Sequence, residues 1–217
     1  MALVRRSLFA FAAVVTLSLG GAPAWAAPDD MALGNAKAKV TVIEYASVTC
    51  PHCAHWQEET WPAFKKKWVD TGKVRFILRE LPTPPEDAAS AGFLIARCAG
   101  PKYFAVIEGL FAGQARMYET GDARAWLLNA AARGGLDEPK AQACLEDEAA
   151  LADLNARVNA NVAEFDVAGT PTFIVNGRKV EGSTDLASLE AAMSGAKAKG
   201  RGPMTFLKGL FKKPKAH

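Results

Sequence analysis

Dense apolar runs, rich in β-branched residues, mark two strands in the first half of the chain. Residues 39–46 (KVTVIEYA) have the composition of a buried central strand, and residues 74–78 (VRFIL) form a second such run. Between them, large aromatic residues recur at mostly helical spacing over residues 56–68. Pro62 lies inside this helical pattern and should kink or interrupt the helix. The first half therefore predicts strand, helix and strand, in that order.

The second half begins with a helical block and ends with a hairpin. Residues 86–165 show little strand character, and their alanine, leucine and charged residues recur at helical spacing, which predicts four or five helices. An Asn-Gly pair at 176–177 follows the apolar run 167–175 and precedes a shorter run, a pattern typical of an antiparallel hairpin. A last helix follows, for which Ser183 or Thr184 is the expected N-cap.

This order predicts an α/β fold with an all-helical insertion after the second strand. A compact insertion is tolerated because the entropic cost of closing a loop rises slowly with its length. The predicted divisions are a leader, the first part of the sheet domain, the helical insertion, the second part of the sheet domain and a basic tail: 1–26, 27–85, 86–165, 166–195 and 196–217.

The first residues have the three parts of a secretory signal peptide. Arg5 and Arg6 precede the apolar run 8–19, and the small-x-small triplet AWA follows at 24–26. A helix of that run spans about 18 Å, which is short of the roughly 30 Å of a bilayer core. We therefore expect cleavage after Ala26 and export, with an uncleaved anchor as the alternative, and disulfides persist in exported proteins.

Composition and charge exclude several classes of protein. Half of the 217 residues are apolar, 23% are charged and four are cysteines, which argues against a disordered chain, a polytopic membrane protein and a cysteine-dense scaffold. A net charge of +3 does not suggest a nucleic-acid-binding protein. The tail 196–217 carries basic but no acidic residues, interleaved with large apolar ones. It is expected to be either a solvated end or an amphipathic segment in weak contact with an anionic membrane surface.

The motif Cys50-Pro51-His52-Cys53 lies where the first strand gives way to the helix. A sulfur at a helix N-terminus meets free N–H groups and the positive end of the dipole, which favour thiolate over thiol. His52 can add positive charge or a hydrogen bond. A lower thiol pKa stabilises the reduced state, so the corresponding disulfide is oxidising. The alternatives are a static disulfide and a metal site that includes His52 or His55, for which a fourth ligand is hard to find.

A second signal is Gly169-Thr170-Pro171-Thr172, directly before the third predicted strand. Proline cannot donate to a sheet ladder and therefore belongs at the first position of a strand. It is also the residue for which a cis peptide bond is accessible.

Taken together, residues 44–53 (EYASVTCPHC), the helical block and GTPTF at 169–173 before the hairpin resemble the DsbA-like periplasmic thiol oxidases of the thioredoxin superfamily. The resemblance covers nearly all of residues 35–195. It implies a thioredoxin fold with an inserted helical subdomain and a dithiol as the redox centre, without a dissociable cofactor or metal. It also implies unfolded or reduced exported proteins as substrates, and a membrane quinone-linked thiol oxidase of DsbB type as the reoxidising partner.

The resemblance assigns a role to each motif residue. Cys50 would be the exposed nucleophile and Cys53 its buried partner, with Pro51 and His52 between them and His52 tuning the pair. Pro171 would be the cis-proline opposite the disulfide. These roles imply an oxidase that introduces disulfide bonds into exported proteins by exchange through Cys50 and Cys53.

Glu44 lies six residues before Cys50 and matches the buried acid of the family. A carboxylate in the middle of a buried strand is costly unless it is paired or protonated. We expect it to act as a proton relay, and a hydrogen-bonded structural acid is the alternative.

Thr170 departs from the oxidase pattern, and a threonine at this position resembles the isomerase branch of the family. An isomerase or reductase is therefore the second hypothesis. A metal-binding or client-binding protein without turnover is the third. About a dozen residues separate Ala27 from the first predicted strand. This is too short for the N-terminal dimerisation domain that such isomerases use, and we expect a monomer.

Cys98 and Cys144 are the remaining cysteines, both in the helical block. In an exported protein with the other pair assigned, they are predicted to form a structural disulfide, with two buried free thiols as the alternative. Closing a loop of that length is worth about 4 kcal/mol on a chain-entropy basis.

Overall fold

The computed structural model describes residue 27, residues 29–182 and residues 184–195. The predicted leader, the basic tail and Ser183 lie outside the described residues. None of the described helices is both long enough and apolar enough to cross a membrane.

Five strands form one mixed sheet, in the order β1-β3-β2-β4-β5. Strands β2 and β3 are parallel, and the other neighbouring pairs are antiparallel. The predicted strands and the predicted hairpin are present. The edge strand β1 was not predicted, because its four residues (MALG) are too few to form a recognisable strand pattern. The strands are Met31–Gly34, Val40–Ala46, Val74–Glu80, Thr172–Val175 and Arg178–Lys179.

Eight α-helices are described, with a π-helical turn at Lys65–Val69 and a 3₁₀ turn at Gly100–Lys102. The first aromatic helix is interrupted as Pro62 predicts: α1 ends at Glu59, and the proline lies in the first turn of α2. Five helices, α3 to α7, lie between β3 and β4. The helices α1 to α8 are Pro51–Glu59, Trp61–Phe64, Glu86–Cys98, Tyr103–Thr120, Ala123–Arg133, Glu138–Leu145, Glu148–Phe165 and Leu186–Met193.

The expected cap of the last helix is wrong. The N-cap of α8 is Asp185, whose carboxylate accepts the Ser188 N–H at 2.8 Å. Aspartate caps a helix as well as serine does, and here the helix begins at Leu186, two residues after Thr184.

The main core lies between the sheet and α1 and α2. Its centre is a cluster of aromatic rings, with centroids 4.8 Å apart for Trp56 and Phe173 and 4.5 Å apart for Trp61 and Phe76. Helix α4 packs against α1 and continues the same core into the helical block. The helix that carries the cysteine motif is therefore fixed between the sheet and the inserted helices.

A buried ion network ties the central strands to distant parts of the chain. Arg79 on β3, 1% exposed, pairs with Asp30 at 3.0 Å and with Glu164 of α7 at 2.6 Å. It also donates to the Tyr45 hydroxyl at 2.8 Å. Breaking a buried ion pair of this kind costs about 3–5 kcal/mol. The network therefore fixes β2 and β3, the strands that lead into the site.

Cys98 at the end of α3 and Cys144 in α6 form a disulfide. We expect the Cys98→Ala/Cys144→Ala double variant to lose about 2–4 kcal/mol of unfolding free energy, because the cross-link closes a separation of 46 residues. Urea unfolding of both proteins with Cys50 and Cys53 oxidised measures this loss. Equal midpoints and equal slopes would contradict it.

Candidate active site around Cys50 and Cys53

The loop between β2 and α1 is held by buried hydroxyl groups. The Ser47 and Thr49 hydroxyls lie 2.9 Å apart, and the Thr49 hydroxyl donates to the Thr83 carbonyl at 2.8 Å. The Thr83 N–H donates in turn to the Ser47 hydroxyl at 3.1 Å. Because Cys50 follows this loop and is the N-cap of α1, the loop fixes where the cysteine motif begins.

Helix α4 holds the same loop from the other side. The Gln114 amide, 3% exposed, donates to the carbonyls of Val48 at 2.7 Å and Cys50 at 3.2 Å. The Tyr118 hydroxyl donates to the Thr49 carbonyl at 2.6 Å. Sequence reasoning missed both residues. A glutamine on an apolar helix face was the only available signal, and it does not say which carbonyls it reaches.

Both motif cysteines are free thiols, and both are buried. Cys53 is fully buried, as the resemblance implied. Cys50 is only 8% exposed, so its expected exposure is wrong. The reason is its neighbour across the site: the Cys50 sulfur lies 3.5 Å from the Thr170 carbonyl, in the segment that precedes β4.

The pKa of Cys50 is lowered from 9.0 to about 5. The largest cause is the Cys53 thiol, which donates to the Cys50 sulfur, and burial opposes this shift. The Thr170 side chain contributes next, followed by the backbone N–H groups of Cys53 and His52. The helix N-terminus therefore acts as the sequence predicts, but it is a smaller cause than the second cysteine.

The pKa of Cys53 is raised far above its ordinary value, chiefly by burial and then by its hydrogen bond to Cys50. The two shifts are opposite in sign because one thiol donates and the other accepts. At neutral pH the reduced pair therefore consists of a Cys50 thiolate and a protonated Cys53 thiol.

The Thr170–Pro171 peptide bond is cis, and Pro171 directly precedes β4. The Thr172 hydroxyl donates back to the Gly169 carbonyl at 2.7 Å and closes the turn. The structure therefore brings Thr170 and the cysteine motif together from positions 120 residues apart.

We expect Thr170→Val to raise the pKa of Cys50 by about 1 pH unit, because a hydrogen bond to a charged group is lost. Ultraviolet titration of the thiolate measures the midpoint. Thr172→Val is the matched control, since the Thr172 hydroxyl bonds to Gly169 and should leave the midpoint in place. Equal midpoints for Thr170→Val and the parent protein would contradict the assignment.

Glu44 lies beneath the motif on β2, on the strand face that also carries Val42 and Ala46. It is fully buried, and neither of its carboxyl oxygens has a hydrogen-bond partner among the described residues. Burial raises the pKa of Glu44 to about 8, and the Cys50 charge adds to the shift. The hydrogen-bonded structural acid that was the alternative is therefore not observed. Glu44 and Cys53 lie close enough for the charge of one to raise the pKa of the other.

Pro51, His52 and His55 are exposed at the start of α1. The backbone of His52 acts on Cys50, as described above; a role for its imidazole remains a prediction. Within the described ranges, no group of three or more histidine, cysteine or acidic residues is arranged to hold a metal ion.

A sheet of this topology, with a buried dithiol at the start of its first long helix and a cis-proline facing it, defines a thioredoxin-like redox protein. A family model described as Thioredoxin matches residues 26–194, and the chain belongs to that family. The predicted fold class, a thioredoxin fold with a helical insertion, is confirmed.

The proteins that this chain resembles include two described as oxidoreductases and one DsbA protein. A Rickettsia typhi protein provisionally described as a protein-disulfide oxidoreductase is 33% identical over 155 residues, which are 70% of this chain and 57% of that protein. The chain therefore spans little more than half the length of this relative. The crystal structure of Wolbachia pipientis alpha-DsbA1 matches with a TM-score of 0.70 at 24% identity, over 78% of this chain and 92% of that one. A thioredoxin-like oxidoreductase from Silicibacter pomeroyi matches with a TM-score of 0.62 at 27% identity, over 78% and 93% of the two chains.

Proposed function

We propose that this protein is a thiol:disulfide oxidoreductase that introduces disulfide bonds into exported proteins through a Cys50–Cys53 disulfide. The observation that carries the proposal is the opposite tuning of the two thiols. With its pKa lowered to about 5, Cys50 is a good leaving group and its thiolate stabilises the reduced protein. A stable reduced form makes the disulfide a strong electron acceptor. The family and the relative described as a protein-disulfide oxidoreductase support the same chemistry.

The exchange proceeds in two balanced steps. A client thiolate attacks the Cys50 sulfur, a client–Cys50 disulfide forms, and the Cys50–Cys53 bond breaks with Cys53 as the leaving group. A second client thiolate then attacks the client sulfur of that mixed disulfide, and Cys50 leaves as a stabilised thiolate. The client loses two electrons and becomes a disulfide, and the protein gains them as a thiolate and a thiol.

The residues near the pair supply a proton and position the client. Cys53 needs a proton as it leaves, because burial makes its thiolate unfavourable. Glu44 carries a proton at neutral pH and lies beneath the motif, so we propose that it relays this proton to Cys53. The Thr170 carbonyl lies 3.5 Å from the Cys50 sulfur, and we assign Thr170 and the adjoining Pro171 to client positioning. The dithiol itself is the redox centre, so no dissociable cofactor enters these steps.

The cellular setting follows from the sequence. We propose that the leader directs the protein to the periplasm and is cleaved after Ala26. Its reoxidising partner would be a membrane quinone-linked thiol oxidase of DsbB type, and it would act as a monomer. The divisions at residues 85, 165 and 195 and membrane contact through the basic tail belong to the same proposal.

Trapping the mixed disulfide tests this function. In a Cys53→Ala variant the Cys50 thiolate attacks a client disulfide, which forms a client–Cys50 disulfide and releases one client thiolate. The variant lacks the Cys53 thiol that would attack Cys50 and free the client, so exported proteins should accumulate on Cys50. The Cys50→Ala/Cys53→Ala double variant is the control and should trap none. A Cys53→Ala variant that carries no client in cells, although the parent protein oxidises dithiothreitol, would contradict a role in client oxidation.

An isomerase or reductase is the second candidate, favoured by Thr170 beside the sulfur. Refolding of a client with scrambled disulfides separates the two functions, because an oxidase does not rescue non-native pairs. A third candidate, a metal- or client-binding protein without turnover, predicts that binding of the client or metal survives Cys50→Ala.

A further inference from the structure

A groove of about 870 Å³ lies between α1 and α4, beside the cysteine motif. The buried side chains of Trp61 and Phe111 line it, and Pro51, the residue after Cys50, also lines it. No residue of the cis-proline segment 169–172 takes part. Its volume is within the range of ligand-binding pockets. The groove is therefore a surface separate from the segment that contacts the Cys50 sulfur.

An exposed aromatic ring borders this groove. Tyr118 of α4 lines it and is 46% exposed, and the other exposed large hydrophobic residue in the described chain is Leu151 on α7. The Tyr118 hydroxyl donates to the Thr49 carbonyl, so the ring is held beside the loop that carries Cys50. An apolar surface left open to solvent next to a reactive group indicates an interaction site.

The groove carries more acidic than basic groups. Glu58 and Glu108 contribute two carboxyl groups, whereas the lysine that lines it, Lys65, is already paired with Asp70 at 2.6 Å. Glu108 also accepts a long hydrogen bond of 3.4 Å from the Trp61 indole. An apolar floor with an acidic border complements a segment that carries one large apolar and one basic side chain.

We propose that this groove binds the client segment next to the cysteine that reacts with Cys50, and that it selects an aromatic or large aliphatic residue beside a lysine or arginine. This inference rests on the proposed function and names its substrate class. Pro51 lines the groove and is the residue after Cys50, so the residues that flank the cysteine of a client joined to Cys50 are near the groove.

Thiol peptides test the selection. Three peptides with one cysteine, flanked on both sides by Phe-Lys, Phe-Glu or Ala-Ala, react with the oxidised full-length protein. Each rate constant is divided by that of the same protein with dithiothreitol, which corrects for changes in the disulfide itself. We expect Phe-Lys to react about tenfold faster than Ala-Ala, and Phe-Glu to react more slowly than Phe-Lys.

Groove variants show where the selection arises. Ala112→Trp places a bulky ring in the groove and should reduce the Phe-Lys advantage to less than about twofold. Ala152→Trp, on the exposed surface of α7, is the matched control and should keep the advantage. Glu108→Lys should reverse the preference between Phe-Lys and Phe-Glu.

Three outcomes would overturn the proposal. Equal rates for the three peptides, with dithiothreitol still oxidised, would contradict client selection by the groove and leave the proposed function intact. Failure to oxidise dithiothreitol would contradict the proposed function itself. A Leu210→Ser/Phe211→Ser variant of the full chain that reacts at least about fivefold faster with Phe-Lys would assign the groove to the basic tail. A second-order rate constant that falls as protein concentration rises would assign it to a second copy of the chain.

Discussion

With the Cys98–Cys144 disulfide kept intact in both forms, the protein whose Cys50–Cys53 pair is reduced is expected to resist urea better than the protein in which that pair is oxidised, by about 2 kcal/mol at pH 7. The pKa of Cys50 falls from 9.0 in the unfolded chain to about 5 in the folded one. The folded protein therefore gains stability at any pH at which its Cys50 thiol is ionised while the same thiol in the unfolded chain is still protonated. The figure is set below the full linkage value because solvent reaches part of the sulfur environment.

The direction of the Cys50 pKa shift determines the pH range in which the reduced form is the more stable one. A lowered pKa contributes stability that is complete above pH 9, falls through pH 9 to 5 and is absent below about pH 5. The advantage of the reduced form should thus grow by up to about 1.4 kcal/mol per pH unit between pH 5 and 8. Cys50→Ser under reducing conditions is the control, since it carries no thiolate and should lack this slope. An oxidised form that is as stable as the reduced one at pH 8 would contradict an oxidising disulfide.

Glu44→Gln is expected to stabilise the protein by about 2–3 kcal/mol at pH 7 while slowing thiol exchange. A buried acid whose pKa is raised from 4.5 to about 8 opposes folding whenever the unfolded carboxyl is ionised. The gain should be largest near pH 8 and absent below pH 4.5, where the carboxyl is protonated in both states. Exchange should slow at least about tenfold, because the relay to Cys53 is removed. Urea unfolding across this range and single-turnover reduction by a thiol peptide measure the two effects.

Glu80 provides the matched control. It is also buried, at the end of the neighbouring strand, but its carboxylate accepts from Arg97 and from the Tyr103 hydroxyl. Glu80→Gln should therefore destabilise the protein, because it weakens a satisfied buried ion pair. Destabilisation by Glu44→Gln at pH 7, or exchange at the parent rate, would contradict the role of Glu44.

The sequence predicts those parts of the site whose geometry depends on residues that are close together along the chain. A Cys-Pro-His-Cys motif at a strand-to-helix junction and Pro171 before a strand carry their geometry in local spacing. The predicted helices and the hairpin also follow from short-range periodicity. Even so, the leading cause of the low pKa of Cys50 is Cys53 rather than the helix N-terminus, and a sequence pattern does not rank these two contributions.

The contacts that the sequence could not predict are long-range. Gln114 and Tyr118 reach the active-site loop from 64 and 69 residues away. Periodicity identifies the buried face of α4 but not the carbonyls that it meets. The pairing of Arg79 with Asp30 and Glu164 likewise joins three segments that have no shared pattern. The buried state of Cys50 belongs with these cases, because the segment that covers it comes from the far end of the fold.

The acidity of the Cys50 thiol tests the central claim most directly. Ultraviolet titration of the reduced protein, with Cys50→Ala as the blank, should give one thiolate midpoint at about pH 5. A midpoint near pH 9 would mean that folding does not stabilise the thiolate, and the disulfide would then have no reason to accept electrons from its clients.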